Sequence, residues 1–325
     1  MNRTTCLMLA LVAALALTGC GGGDETTPPE GGRRVALIYK ATTNPFFQAM
    51  EKGAREKAKA LGVALEVAGI ESETDVDRQA DLVRNMLNRQ VEAMVIAPAS
   101  SVGIVTPLLR VQQKGVPIVN IDNRINQEEA GKQGLEIATF IGPDNFEGAK
   151  QVGDYACSLI KKKLGDGEAG KVLLLRGIDG VENAEARRAG FEAAVKEAGL
   201  EIAGSESAHW HTDEAQQVTS ALLAANPVVH GILCANDKMA LGAIAAVKAR
   251  GKIGEIVIVG YDNIDLAREA MARGEMHGTV EQNPAMMGAM GVEAALEALA
   301  GKDLPEVTPV PTQLITPEDV KAEVK

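Results

Sequence analysis

The chain is poor in aromatic residues, cysteine and positive charge. Aromatics make up 3% of its 325 residues, it has Cys 4 and His 4, and Lys+Arg 33 against Asp+Glu 44 leaves a net charge of -11. So few cysteines do not support a disulfide scaffold, and an acidic chain without a basic block argues against nucleic acid as a partner. The histidines are scattered and no C-x-x-C or H-E-x-x-H motif occurs. We therefore expect neither a transition-metal site nor another cofactor.

One long apolar run opens the chain and ends at a cysteine. Arg3 precedes an apolar stretch from Leu7 to Leu17, and Thr18-Gly19-Cys20 follows. A short positive segment, an apolar run of this length and small residues at its end are typical of a secretion signal. The run is too short to span a bilayer comfortably. The pattern resembles a bacterial lipoprotein signal, so we expect residues 1–19 to be cleaved and Cys20 to carry lipid; an ordinary cleaved signal is the alternative.

The segment after the signal differs from the rest of the chain. Glycine, proline, threonine and acidic residues fill it without apolar periodicity, which predicts a flexible tether over residues 20–34. Beyond it the exported part holds only Cys157, in a helical pattern, and Cys234, in an apolar strand pattern. Spacing alone does not identify a disulfide, and we favour two buried free thiols.

From Val35 onward, short apolar runs alternate with amphipathic stretches. In the first stretch, apolar residues recur at spacings of three and four from Phe47 to Leu61, as on the buried face of a helix. Continuous Val, Ile and Leu runs between helices indicate parallel sheets covered on both faces. About nine such units exceed one compact sheet, and a chain of this length favours two domains or one large one, so we predict an α/β fold with two doubly wound parallel-sheet lobes. The predicted strands are Val35–Tyr39, Ala64–Ala68, Ala93–Ile96, Pro117–Ile121, Thr139–Ile141, Lys171–Arg176, Gly231–Cys234, Ile256–Gly260 and Gly278–Glu281.

Polar and aromatic side chains follow these strands at the points where they end. Ligands of open α/β sheets bind beyond the carboxyl ends of the strands, so these positions form the candidate site. They are Lys40, Asn44, Phe46 and Phe47 after the first strand, Asp122, Asn123 and Arg124 after the fourth, Asp144 and Asn145 after the fifth, Asn183 and Arg187 after the sixth, Trp210 after an extended segment that begins near Leu200, and Asn236-Asp237, Tyr261-Asp262-Asn263 and Gln282-Asn283 after the last three.

Together these side chains offer planar donors and acceptors, carboxylates and flat apolar faces. A polyhydroxylated ring presents hydroxyls that both donate and accept hydrogen bonds, and C–H faces that pack on aromatic rings. Buried, it needs this mixture of partners. A sugar or sugar-like polyol therefore fits the residues better than a hydrophobic molecule or a phosphate.

Structural alternatives exist for several of these residues. Asn44-Pro45 is a typical helix start, a capping residue followed by proline, although we still expect Asn44 to contact ligand. Phe47 begins the apolar helical stripe, so core packing is nearly as well supported as stacking on ligand. Asp237 is expected to cap the helix that follows it.

Further capping and surface roles are open at other positions. Asp144 and Asn263 are placed to cap helices, and a turn or capping role is the alternative for Asp122 and Asp262. One of the adjacent arginines, Arg187 or Arg188, is expected on a solvated helix face.

Six motifs along the chain carry a family resemblance. In register from about Val35 to the C-terminal region, they resemble the ribose-type periplasmic sugar-binding proteins and are most similar to the allose-binding kind. The motifs are Lys40-Ala41-Thr42-Thr43-Asn44-Pro45-Phe46-Phe47, Ile96-Ala97-Pro98, Ile121-Asp122-Asn123-Arg124, Ala186-Arg187-Arg188-Ala189-Gly190-Phe191, Cys234-Ala235-Asn236-Asp237-Lys238-Met239-Ala240-Leu241-Gly242 and Val280-Glu281-Gln282-Asn283-Pro284.

The resemblance implies a set of ligand contacts. Lys40 matches a lysine of the allose-binding kind where the ribose-binding kind has serine. Position 123 is Asn, where the ribose kind has Arg and the allose kind Glu, and position 97 is Ala, where the ribose kind has Asn; we therefore name no monosaccharide. The predicted ligand-binding residues are Lys40, Asn44, Phe46, Phe47, Asp122, Asn123, Asn183, Arg187, Trp210, Asn236, Asp262 and Gln282.

The resemblance also implies how the lobes connect. The chain would cross between them near Gly142–Asp144, Gln282–Pro284 and Thr312–Gln313, a three-crossover hinge of the type I periplasmic binding protein fold. Residues 35–142 plus 284–312 would form the N-terminal lobe, and residues 143–283 plus 313–325 the C-terminal lobe.

Hinge closure on the ligand is the expected action. By resemblance, the closed form would dock on the membrane subunits of an ABC permease. We expect a monomer outside the cytoplasm, in the periplasm or cell envelope, anchored to a membrane by its lipid. A sugar-sensing receptor component, which signals by the same closure to a membrane kinase or chemoreceptor, is the alternative.

Motifs that are typical of two enzyme classes are missing from the sequence. A dehydrogenase would need G-x-G-x-x-G after its first strand, and the turn after Tyr39 contains no glycine. A hydrolase would need an activated nucleophile, and no G-x-S-x-G occurs. A sugar-responsive transcription regulator would carry a DNA-binding head where this chain has a secretion signal. We therefore predict a binding protein rather than an enzyme.

Overall fold

The computed structural model describes residues 32–165 and 169–323. The predicted signal segment 1–19, Cys20 and most of the predicted tether lie outside the described residues. Within the described part, strands and helices alternate along the chain. No helix of that part is long and apolar enough to cross a membrane.

Six strands form one parallel sheet in the order β11-β5-β4-β3-β1-β2. We call this sheet, with the helices packed on it, the first lobe. Its strands, numbered in chain order, are β1 (Arg34–Tyr39), β2 (Ala64–Gly69), β3 (Ala93–Ile96), β4 (Ile118–Ile121), β5 (Thr139–Gly142) and β11 (Val307–Pro309).

Helices cover both faces of this sheet, as the continuous apolar strands predict. Leu37 of β1 belongs to an apolar cluster with Met50 and Val292, whereas its neighbour Ile38 belongs to a second cluster with Leu108. Successive side chains of a strand point to opposite faces, so each face of the sheet has its own core. The helices of the first lobe are α1 (Pro45–Leu61), α2 (Val76–Asn88), α3 (Val105–Gln113), α4 (Gln127–Gln133) and α10 (Pro284–Leu299).

Four strands form a second parallel sheet in the order β7-β6-β8-β9. We call this sheet, with its helices, the second lobe. Its strands are β6 (Lys171–Arg176), β7 (Glu201–Ser207), β8 (Gly231–Cys234) and β9 (Val257–Val259), and its helices are α5 (Asn145–Leu164), α6 (Glu182–Glu197), α7 (Thr212–Ala225), α8 (Asp237–Ala249), α9 (Asp265–Ala272) and α11 (Pro317–Glu323).

The last predicted strand has a partner on each side. β10 (Thr279–Glu281) pairs antiparallel with β12 (Gln313–Ile315). On its other side the same segment runs parallel to the end of β9, through a bridge between Val259 and Gly278 and backbone hydrogen bonds such as that from Asp262 N to Val280 O. The predicted parallel neighbour is present, and the antiparallel partner was not predicted.

The chain passes between the lobes at three places within the described residues. It leaves β5 for α5 after Gly142, leaves β10 for α10 after Glu281, and leaves β11 for β12 after Pro309. These segments are hydrogen-bonded to one another. Val310 N donates to Gly142 O at 3.0 Å, Glu281 pairs with Gln313, and Asn283 Nδ2 donates to Pro311 O at 2.8 Å. The predicted α/β class with a three-crossover hinge is confirmed, while the exact lobe boundaries stay a prediction.

Helix caps agree with the sequence at two positions and differ at two others. Asn44 caps α1 and Asp144 caps α5, each by accepting from a backbone N–H of the first turn. At α8 the cap is Asn236 rather than Asp237, and Asn263 does not cap α9 but donates to Glu281. The two capping predictions were wrong because the side chains of Asp237 and Asn263 form hydrogen bonds with residues of other elements instead.

Asp237 illustrates such a remote set of partners. Its carboxylate accepts from Thr279 Oγ1 at 2.7 Å and from Ile264 N at 3.0 Å, so it fastens β10 and the start of α9 to α8. Burial raises its pKa to about 6, although these hydrogen bonds act to lower it.

Both cysteines of the described part are buried and free, as predicted. Burial raises the pKa of Cys157 to about 11 and raises that of Cys234 as well. Because the thiolate is the reactive form, burial and the raised pKa both disfavour reaction at these thiols.

Two glycines let α1 and α10 approach until their backbones touch. A Cβ on Gly288 would lie 2.1 Å from the carbonyl oxygen of Met50, and one on Gly53 would lie 2.0 Å from that of Ala285. A side chain of any size therefore requires the two helices to separate.

Gly288→Ala should lower the free energy of unfolding by about 1–3 kcal/mol, the usual range for an overpacked core. Urea titration would measure the loss. Gly131→Ala is the matched control, because a Cβ there meets nothing within 4 Å, and alanine in an open helix position should raise stability by about 0.5–1 kcal/mol. Equal stability of Gly288→Ala and wild type would contradict the close packing.

Candidate ligand-binding site

A cavity lies where the carboxyl ends of the strands of both lobes meet. The space there that holds no protein atoms is about 240 Å³, part of it open to solvent. Ten of the twelve predicted residues line it, Asn123 and Gln282 do not, and one further residue, Glu73, does. The lining residues are Lys40, Asn44, Phe46, Phe47, Glu73, Asp122, Asn183, Arg187, Trp210, Asn236 and Asp262.

The first lobe contributes a buried cluster of three charges. Lys40, 1% exposed, places its Nζ 3.2 Å from Glu73 Oε2 and 3.6 Å from Asp122 Oδ2. Asp122 has a φ of 64°, a left-handed conformation that aspartate tolerates better than most residues. Burial raises the pKa of the Asp122 carboxyl, and the Lys40 ammonium opposes this rise.

Glu73 was missed in the sequence although the rule that found the others applies to it. It follows β2 at the same edge of the sheet, in a turn that carries no aromatic or amide side chain. Inspecting the end of every strand in the sheet would have included it.

Phenylalanines form the apolar wall of the first lobe. The rings of Phe46 and Phe47 meet edge to face with centroids 5.0 Å apart, and Tyr39 stacks on Phe47 at 6.0 Å. Phe47 thus packs in the core and lines the cavity, and Asn44 both caps α1 and lines the cavity. At both positions the structural role is observed, and contact with ligand stays a prediction.

Arg187 organises the second lobe's wall. Its guanidinium donates from Nε to Asn145 Oδ1 at 2.8 Å, from Nη1 to Ala235 O at 2.8 Å and from Nη2 to Gln282 Oε1 at 3.0 Å. Nη1 also lies 3.5 Å from Asp262 Oδ1. Arg188, by contrast, has a side chain 40% exposed, so the predicted division between a buried and a solvated arginine is confirmed.

Aromatic rings enclose the same guanidinium. The Arg187 Cζ lies 3.9 Å from the centroid of the Tyr261 ring and 5.7 Å from that of Trp210. His209 and Trp210 are left-handed, with φ of 46° and 67°, and a Cβ on Gly177 would lie 2.1 Å from the indole. The turn after β7 and the glycine after β6 therefore position Trp210 jointly.

Gln282 acts behind the cavity wall. It is 0% exposed, and its Nε2 donates to Asp262 Oδ1 at 2.6 Å while its Oε1 accepts from Arg187. Burial raises the pKa of Asp262, and Arg187 opposes this rise. Gln282 therefore orients two lining residues from behind the cavity wall, and its predicted contact with ligand stays a prediction.

Asn123 is the other predicted residue outside the lining. It is 0% exposed, its Nδ2 donates to Pro98 O at 3.0 Å, and its Oδ1 accepts from Ser101 Oγ at 3.4 Å and from Asn183 N at 3.3 Å. Partners that are remote in sequence engage both ends of the amide, and the predicted ligand contact of this side chain stays a prediction.

Three buried polar atoms of the lining have no hydrogen-bond partner within residues 32–165 and 169–323. They are Asp122 Oδ2, Asn183 Oδ1 and Trp210 Nε1. Two are acceptors and one is a donor. Asp122 lies on the first lobe and the other two on the second, so a molecule that satisfies all three must bridge the lobes.

Arg187→Lys should lower the free energy of unfolding by about 2–4 kcal/mol, because lysine cannot reproduce the fork and leaves buried acceptors unpaired. Urea titration measures the loss, and Arg188→Lys is the matched control on the same helix. Since Arg188 pairs with Glu185 and Glu192 at the surface, its change should stay within about 0.5 kcal/mol. Equal effects of the two substitutions would refute the special role of Arg187.

Comparison with known proteins agrees with this geometry. The chain is 36% identical over 320 residues to the D-ribose/D-allose-binding protein of Pseudomonas aeruginosa, covering 94% of this chain and 97% of that protein. It is 37% identical over 272 residues to the D-allose-binding periplasmic protein of Escherichia coli, covering 83% and 86%.

A solved structure has the same architecture. An ABC transporter periplasmic solute binding protein from Actinobacillus succinogenes with bound D-allose superposes with a TM-score of 0.82 at 33% identity, covering 89% of this chain and 99% of that chain. The fold is that of the type I periplasmic binding proteins. The family model described as periplasmic binding protein domain matches residues 35–303, and the chain belongs to this family.

Proposed function

We propose that this protein captures a monosaccharide, a pentose, hexose or related polyol, between two lobes that close on it, and delivers it to an ABC permease. The three polar atoms of the lining that form no hydrogen bond, one of them in an ion pair with Lys40, carry the proposal. Hydroxyl groups donate to the two acceptors and accept from the indole N–H, so one kind of ligand group satisfies all three.

The charges of the lining favour a neutral ligand. Lys40 and Arg187 face three carboxylates, those of Glu73, Asp122 and Asp262, which leaves an excess of negative charge. An anionic ligand would bring another buried negative charge to this excess, at a large desolvation cost. Neutral hydroxyls instead donate to the carboxylates, and charge-assisted hydrogen bonds of this kind are the strong ones.

Closure supplies the mechanism. The ligand contacts Asp122 on the first lobe and Trp210 on the second, so it favours the closed over the open arrangement by those contacts. The lobes are residues 35–142 plus 284–312 and residues 143–283 plus 313–325. A micromolar affinity, on the order of -8 kcal/mol, allows both capture and release.

Fluorescence of Trp210, the only tryptophan, tests the ligand class. Titration of the purified protein with pentoses, hexoses and polyols should change its emission in a saturable way for at least one of them, because the indole lines the cavity. A response to an amino acid or nucleoside, with none to any sugar, would overturn the proposed ligand class.

Variants that remove a carboxylate charge test whether this fluorescence change comes from binding in the cavity. Asp122→Asn and Asp262→Asn should each weaken binding by about tenfold or more, since a hydrogen bond to a charged group contributes about 1.5–3 kcal/mol. Asp265→Asn changes an exposed aspartate at the start of α9 and should leave affinity unchanged. Retained affinity in both cavity variants would place the ligand elsewhere.

The same proposal places the protein outside the cytoplasm, held to a membrane through lipid on Cys20. Cys20→Ala removes the acceptor thiol, so the variant should leave the membrane fraction, and it should not incorporate labelled fatty acid supplied to the cells. Cys157→Ala, which alters a buried thiol, should leave both unchanged. A Cys20→Ala protein that still incorporates the labelled fatty acid would exclude anchoring through this residue.

A further inference from the structure

The N-terminus of α6 faces the first lobe, across the cleft from its own sheet. The helix begins at Glu182, and the residue before it, Val181, has an apolar side chain that accepts no hydrogen bond. The first N–H groups of a helix need acceptors from outside it. At α6 these acceptors come from the opposite lobe.

Two side chains of the first lobe receive these N–H groups. Glu182 N donates to Ser101 Oγ at 3.0 Å, and Asn183 N donates to Asn123 Oδ1 at 3.3 Å. Ser101 lies between β3 and α3, and Asn123 lies in the turn after β4, whereas α6 follows β6 of the second lobe. We call the Ser101 and Asn123 side chains the interlobe cap.

The cap is held in place by its own lobe. Ser101 Oγ donates to Asn123 Oδ1 at 3.4 Å, Asn123 Nδ2 donates to Pro98 O at 3.0 Å, and Asn120 Nδ2 donates to Asn123 O at 2.9 Å. The cap residues are 2% and 0% exposed. The acceptors therefore need little rearrangement to receive α6.

We infer that the interlobe cap stabilises the closed arrangement and so tightens the binding of every ligand without touching any of them, an inference that rests on the proposed closure. Opening moves α6 away from the cap and returns both N–H groups to water. Neither Ser101 nor Asn123 is among the described residues that line the cavity. The hydrogen bonds of the cap therefore shift the open–closed equilibrium toward the closed form, and they change the affinity for every ligand by the same factor.

Ser101→Ala removes one acceptor and tests the inference. Loss of a capping serine usually costs about 0.5–2 kcal/mol, so the dissociation constant should rise about 2- to 30-fold, by the same factor for each sugar that binds. Trp210 fluorescence measures the affinities, and stopped-flow mixing should place most of the change in the dissociation rate. Ser100→Ala is the matched control, because Ser100 Oγ accepts from Gly103 N within its own loop and its loss should leave affinity unchanged.

The N–H donor of Glu182, which lies on the second lobe, can also be eliminated by substitution. Proline is favoured at the first helical position, and Val181, with φ -90° and ψ 128°, already has the extended conformation required before it. Glu182→Pro should thus keep α6 and weaken binding at least as much as Ser101→Ala, while Glu182→Ala, which retains the N–H, should not. In the Ser101→Ala background, Glu182→Pro should add little.

Two results would overturn the inference. A loss that differs from sugar to sugar would make Ser101 a direct ligand contact, and equal affinity of Ser101→Ala and Ser100→Ala would remove the cap from the closure equilibrium. If no sugar binds the wild type, the proposed function fails and the cap is tested by itself. Nitroxide labels on one exposed residue of each lobe should then report a shift to longer distances in Ser101→Ala but not in Ser100→Ala, and identical distributions would refute the cap.

Discussion

Burial of the Arg187 guanidinium is the constraint on which the second half of the site depends. A buried cation is tolerated only where its donors are paired and its charge is balanced. Asn145, Ala235 and Gln282 accept from it, Asp262 lies beside it, and Tyr261 and Trp210 border its faces. Because these partners come from different elements of the second lobe and from the segment that leads into α10, one side chain sets the relative position of the cavity wall and the hinge.

The first lobe also balances a buried cation, here with carboxylates rather than with amides and aromatic rings. Lys40 is balanced by Glu73 and Asp122, and the Asp122 Oδ2 has no hydrogen-bond partner within the described part of the chain. Each lobe alone therefore presents charge that is only partly satisfied. A hydroxyl-rich molecule between the lobes completes both sets at once, which explains why capture and closure are a single event in the proposed function.

Much of the fold and most of the site could be predicted from the sequence because they depend on local patterns. Continuous apolar runs predicted the parallel strands, and the polar residues just after those strands predicted most of the cavity lining. Asn44 and Asp144 were predicted as caps because a cap is a contact between residues three positions apart or fewer.

What the sequence did not reveal depends on contacts between distant residues. Asn123 and Gln282 have the same chemistry as the lining residues, and their hydrogen bonds with Ser101, Asn183 and Arg187 place them behind the lining. Asp237 exchanged a local cap for Thr279, 42 positions away, and β10 found an antiparallel partner more than thirty residues further along the chain. No periodicity or spacing encodes these pairings.

The lateral hydrogen bonds among the three segments between the lobes have a mechanical consequence. Gly142 is joined to Val310, Glu281 to Gln313, and Asn283 to Pro311, so the segments form one ribbon rather than three separate strings. Such a ribbon bends readily about a line across its width, whereas sliding one edge past the other would break its cross-links. In the proposed closure, the lobes would therefore be guided along one direction of swing and return to the same registry each time.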